Sequence, residues 1–294
     1  AVAALLRVSG EVGLMVGPLT GVTIATMEVT GLSYGRLMLW AVIPFSLVWL
    51  GSTWFAVCRI QKKYKGKEIY ELTDDMVDLN SVEITTQEKR TTILFILSFI
   101  ALVAYGIITK QGTEYAIIVM LILSVIIAIS SRMKIDEAID EFVDGASQMT
   151  NMFLVFIFFE VMFSMINLGG GFEALGNLLT HLIPEGGKAL VVIIASLVGG
   201  FGIEAAAVAE INIVHKMFIG LVQSVHLPMV IWATALVAAT RITGSLYPTA
   251  NMAGQLGIAR CDNMKGVLKA SWIGAAALWI WVFVWAFVGP LIAG

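Results

Sequence analysis

At 294 residues the chain is 59% hydrophobic and 13% charged, with a mean hydropathy of +0.90, whereas an ordinary soluble domain is about 25% charged. That balance excludes a water-soluble globule, and a net charge of -3 excludes a basic nucleic-acid surface. Helix-length apolar runs recur throughout, each long enough for the roughly 20 residues that cross a bilayer, so an all-α polytopic membrane protein is expected.

The chain opens at Ala1 in what reads as the end of an apolar helix, and a segment is expected to be missing upstream. Val2 to Thr30 is apolar but interrupted by Gly13-Leu-Met-Val-Gly17-Pro18-Leu-Thr20-Gly21-Val-Thr23. Glycine permits a turn and proline removes a donor, so this stretch reads as a broken helix. Leu37 to Cys58 is a full span. Arg59, Lys62, Lys63, Lys65 and Lys67 follow it, and the Lys/Arg excess of cytoplasmic loops places the polar connector 59–90 inside.

Thr91 to Ile108 then runs outward, Lys110 to Glu114 is an external turn, and Tyr115 to Ser131 returns to Arg132 and Lys134. Arg132 to Gln148 groups Ile135, Ala138, Ile139 and Phe142 on one face, with acidic residues around the rest. It is expected to lie as a separate interfacial helix before the span Met149 to Asn167. A short glycine-flanked helix, Gly169 to Gly187, comes next. Ala189 to Gly202 and Ala205 to Gln223 form the arms of a re-entrant hairpin, 188–223, with its tip at Gly199-Gly-Phe-Gly-Ile-Glu204. From His226 the chain crosses inward and breaks at Thr243-Gly244-Ser245-Leu-Tyr-Pro248-Thr249-Ala-Asn251 before Arg260. The last span, Lys269 to Ile292, carries Trp272, Trp279, Trp281 and Trp285 too deep for an interfacial belt alone, and takes the C-terminus outside.

The two breaks share Gly, Pro and Thr, each precedes a full span, and the charge bias runs them in opposite directions. They therefore read as inverted repeats: residues 1–58 end the first, 59–90 connect, and 91–294 form the second. Irregular backbone at membrane depth must be buried in protein or line a watery cavity, so two broken helices and a hairpin mark a site. Freed carbonyls with Ser, Thr and Asn oxygens suit Na⁺, and half-helix N-termini suit anions.

On these features the chain resembles the ion-transporter superfamily, which includes divalent-anion/sodium symporters, anaerobic dicarboxylate carriers and C-type sodium/proton antiporters. The resemblance implies a scaffold of interfacial helices, a transport region moving by an elevator-like step, and a homodimer. It also implies that the first repeat's hairpin lies upstream of Ala1. The broken-helix pattern of the sodium-coupled dicarboxylate symporters matches at Pro18-Leu-Thr20 and Pro248-Thr249-Ala-Asn251. The hairpin departs from it, with Glu204 where a hydroxyl and an amide are the rule.

The candidate substrate and ion ligands are Gly17, Pro18, Thr20, Gly21, Thr23, Glu204, Glu210, Asn212, Arg241, Thr243, Gly244, Ser245, Pro248, Thr249 and Asn251. A bound Na⁺ is placed at Thr20, Ser245, Thr249 and Asn251, and no other cofactor is expected. Glu204 and Glu210 read as Na⁺ ligands, proton carriers, holders of a cationic substrate group, or structural carboxylates. Arg241 reads as a partner for a substrate carboxylate or for a hairpin glutamate. Glu28, Glu160 and His215-Lys216 are weaker candidates, and Cys58 and Cys261 are assigned no function. No nucleophile elbow, phosphate loop or paired Cys/His spacing is present, so an enzyme is not expected. The reading is an ion-coupled carrier of a small organic anion such as a carboxylate, in a bacterial inner membrane, with Na⁺ favoured over H⁺. A sodium/proton antiporter, a carrier of amino-acid-like substrates, and a channel or structural component remain alternatives.

Overall fold

The computed structural model describes residues 2–64, 85–109, 111, 114–171, 174, 177–178, 187–202, 207–246, 252, 255–257, 259, 261 and 263–293, and no strand occurs among them. The chain is an all-α polytopic membrane protein. Two compact units divide it, residues 1–63 with 158–294, and residues 64–157.

In the first unit, α1 (Val2–Val16) and α2 (Gly21–Thr30) form one apolar element bent by 42° at Gly17 to Thr20. Gly31 ends α2 at φ 66, a left-handed conformation that glycine adopts freely, and its N–H donates to the Met27 carbonyl. A continuous span follows: α3 (Tyr34–Leu37), a π turn at Met38–Val42, and α4 (Ile43–Tyr64). This unit's later elements are α8 (Lys188–Leu197), which runs into a π turn at Val198–Gly202, α9 (Ala207–Ser224), α10 (Met229–Leu246) and α11 (Met264–Ala293).

α10 is the hub of this unit, with nearly every side chain from Val230 to Ile242 buried, and it touches α2, α8, α9 and α11. Lipid offers no hydrophobic drive between helices, so close packing has to hold them, and small residues allow it. A Cβ on Gly199 would come 2.3 Å from the Ala239 Cβ, so the π turn and α10 meet almost backbone to backbone. The tryptophans of α11 are packing residues as well as membrane anchors. Trp279 stacks on Phe201 at 5.5 Å, Trp281 on Trp285 at 5.1 Å, and Trp285 meets Trp40 at 6.3 Å.

In the second unit, α5 (Thr86–Ile108) starts with a capping box, in which Thr85 and Glu88 satisfy each other's backbone N–H groups. It pairs with α6 (Glu114–Ser130), the Tyr115 hydroxyl donating to the Leu102 carbonyl at 3.0 Å and Gln87 to the Ser131 carbonyl at 2.6 Å. None of the residues of α5 is buried. From Ile93 onward it is apolar nearly all round, which suits lipid as its solvent.

One expectation is corrected here. The interfacial helix Arg132 to Gln148 and the span Met149 to Asn167 are a single helix, α7 (Ile135–Leu168), 34 residues long. No proline separates the two parts, and Gly145 alone is tolerated inside a helix, so the change from acidic to apolar alters the surroundings but not the backbone. α7 ends at Leu168, and Gly170 just beyond it has φ 70. Most of Gly169 to Gly187, the hairpin tip at 203–206 and the second break at 247–251 lie outside the described residues.

Candidate substrate and ion site

The first break is built by Pro18 and two threonines. Proline has no N–H, so the carbonyl four residues back, at Leu14, loses its helical donor. Thr20 turns back to it, its Oγ1 lying 2.6 Å from the Leu14 oxygen, 2.9 Å from the Gly17 oxygen and 3.0 Å from Thr23 Oγ1. Thr23 Oγ1 lies 2.8 Å from the Met15 oxygen. Each hydroxyl carries a single proton, so four oxygen–oxygen contacts share two protons. The cluster is rich in lone pairs and poor in donors, the environment a small hard cation prefers. Gly21 follows directly, and a Cβ there would come 2.9 Å from Val208, so the start of α2 lies against the start of α9.

Glu210 lies in the first turn of α9 and is 2% exposed. The positive end of the α9 dipole favours a carboxylate there. Asn212, read from the sequence as a ligand, spends its amide N–H on the Val208 carbonyl of its own helix at 2.9 Å.

Arg241 on α10 is buried and makes an ion pair with Glu11 of α1. Its partner among the described residues is thus a residue of the first broken helix. Arg7, one turn before Glu11, is 1% exposed; its Nη1 donates to Ser271 Oγ at 2.8 Å and its Nη2 to the Gly244 carbonyl. Ser245 Oγ is buried and has no hydrogen-bond partner among the described residues. The buried polar centre therefore joins α1, α10 and α11. Glu204, Pro248, Thr249 and Asn251, and the side chain of Thr243, lie outside the described residues.

Sequence reasoning missed Arg7 and Glu11. A signal was there, two ionisable residues at i and i+4 in an apolar helix, which should be paired or functional. Among the weaker candidates, Glu160 accepts from Lys216 at 2.7 Å, with the ammonium 4.6 Å from the Phe163 ring centroid. His215 Nδ1 accepts from Trp232 Nε1 at 3.1 Å, and Glu28 is exposed.

The family model described as "Tripartite ATP-independent periplasmic transporter, DctM component" matches residues 1–237. The chain belongs to this family. This DctM chain is therefore a multi-pass protein of the bacterial inner membrane and a component of a secondary carrier, a transporter that does not use ATP. The resemblance to secondary carriers holds at that level, while the matching family is none of the three members named from the sequence. No curated protein and no solved structure matches the chain.

Proposed function

We propose that the chain is the carrier component that moves a small organic anion, such as a carboxylate, across the membrane with a coupling ion, Na⁺ in preference to H⁺. The observation that carries the ion choice is the proton-poor oxygen cluster of Leu14, Met15, Gly17, Thr20 and Thr23 at the first break. Hydroxyls and carbonyls ligate Na⁺ but do not carry protons at neutral pH.

The anionic cargo is supported by the Arg7, Glu11 and Arg241 cluster buried between α1 and α10, two guanidiniums and one carboxylate among the described residues. A buried excess positive charge is costly unless an anion meets it. The hairpin and the broken helices would move together in an elevator-like step that carries the cargo without converting it chemically. As to assembly, the description "tripartite" favours unlike partner components over the homodimer implied by the resemblance.

The test is uptake by the complete transporter in proteoliposomes, against a panel of carboxylates, amino acids and sugar acids, under imposed Na⁺ or H⁺ gradients. Saturable uptake of a carboxylate that follows the Na⁺ gradient is expected. Uptake that follows only the pH gradient would overturn the sodium reading, and flux without saturation would point to a channel.

A further inference from the structure

The break between α1 and α2 frees consecutive carbonyls at the end of α1. A continuous helix would satisfy Leu14, Met15 and Val16 from the N–H groups of residues 18, 19 and 20. Pro18 has none, and the Thr20 N–H turns to the Gly17 carbonyl at 3.3 Å. Hydroxyls face all three carbonyls instead. Thr20 Oγ1 lies 2.6 Å from the Leu14 oxygen and Thr23 Oγ1 2.8 Å from that of Met15, both from just beyond the break. Val16 is met from further away: the Tyr34 hydroxyl, at the start of α3 and 18 residues along the chain, donates to its carbonyl at 2.6 Å.

We infer that Tyr34 is a positioning residue for the cation cluster at the first break, holding the peptide group that precedes Gly17. The inference rests on the sodium reading of that cluster. The peptide group between Val16 and Gly17 is held at both ends, its N–H on the Gly13 carbonyl at 2.9 Å and its C=O by Tyr34. Gly17 has to be glycine, because a Cβ there would come 2.5 Å from Thr20 Cγ2 and 3.1 Å from the Gly13 oxygen, and glycine is the residue whose backbone turns most freely. The direction of the Gly17 carbonyl therefore depends on the peptide group before it. That carbonyl is one of the oxygens of the cluster, 2.9 Å from Thr20 Oγ1. Water could satisfy the Val16 carbonyl, whose residue is 37% exposed, but a phenol also sets its direction, which preorganises the ligands that follow. The Tyr34 ring packs against the apolar core of its unit, and this fixes the hydroxyl in turn.

Thermal unfolding of the purified full chain in detergent, with NaCl exchanged for choline chloride at constant ionic strength, tests this without a known cargo. Bound Na⁺ raises the midpoint once its concentration passes the dissociation constant. Tyr34→Phe keeps the ring and loses the hydroxyl, so in this variant the rise should begin at a Na⁺ concentration about three- to tenfold higher than in the wild type, the range for one hydrogen bond. A hydroxyl that only stiffens the fold would lower the midpoint equally at every Na⁺ concentration and leave the onset where it was, and that result overturns the proposal. Thr20→Val separates the two readings. If it moves the onset while Tyr34→Phe does not, the cluster binds Na⁺ without help from Tyr34; if the wild type shows no Na⁺-dependent rise, the sodium reading falls and the proposal with it. Should Tyr34→Phe fail to accumulate, 3-fluorotyrosine placed at residue 34 carries the test, because its fluorine resonance should shift over the Na⁺ concentrations that raise the midpoint. A resonance that does not respond overturns the proposal.

Discussion

Arg241 of α10 and Glu11 of α1 form a buried ion pair across 230 residues of sequence. The pair joins α1, a short way before its break at Gly17 to Thr20, to α10. Its members stand 4% and 9% exposed, so neither charge is met by water.

Removing one partner of a buried pair leaves the other charge uncompensated, which costs about 3–5 kcal/mol. Glu11→Gln leaves Arg7 and Arg241 facing each other and should strongly lower the thermal unfolding midpoint in detergent. The exchanged pair Glu11→Arg with Arg241→Glu should recover part of that loss. An unchanged midpoint in Glu11→Gln would mean that the pair does not hold the two helices.

Thr20→Val keeps the shape of the side chain but removes the hydroxyl that faces Leu14, Gly17 and Thr23. It should raise the Na⁺ concentration for half-maximal uptake by about tenfold, as expected for one lost ligand in a half-buried site, while Thr20→Ser should stay close to the wild type. Sodium titration of uptake reads this directly. Equal Na⁺ dependence in Val and Ser variants would make the cluster a structural turn.

Gly199 and Gly220 give a matched pair of alanine substitutions. At Gly199 the new methyl would lie 2.3 Å from the Ala239 Cβ and 3.1 Å from its Cα, whereas at Gly220 nothing lies within 4 Å. Gly199→Ala should therefore destabilise the protein by about 1–3 kcal/mol through overpacking. Gly220→Ala, in the exposed middle of α9, should be neutral or stabilising by up to about 1 kcal/mol. Thermal unfolding of both variants separates close approach from helix propensity.

Topology follows from charge. With Arg59, Lys62 and Lys63 at the end of α4, the connector after it should lie in the cytoplasm, and the end of α11 on the opposite side. Cysteines placed singly at Lys62 and Ala293, in a chain whose Cys58 and Cys261 are changed to serine, should react in intact cells with an impermeant reagent only at 293. Labelling at 62 from outside would reverse the scheme.

Much of this molecule is determined locally, because a bilayer leaves the backbone few choices. Every N–H and C=O in hydrocarbon needs a partner, so an apolar run of span length must be a helix, and α4, α5, α6 and α11 lie where hydropathy puts them. The first break is equally local. Pro18 removes a donor wherever it stands, and Thr20 and Thr23 are near enough in sequence to fill the gap. Even the missed continuity of α7 is a local matter, since its sequence contains no residue that must stop a helix between Arg132 and Leu168.

Only the tertiary structure decides which distant groups meet. Arg241 could be read as ready for a substrate or for a hairpin glutamate because sequence gives a buried charge its need for a partner but not the partner's identity. Glu11 fills that role through the packing of α1 against its neighbours. Arg7 reaches Gly244 for the same reason. A buried guanidinium's need for acceptors is local, but the acceptors can come from any helix the fold brings within reach, and that reach is a property of packing.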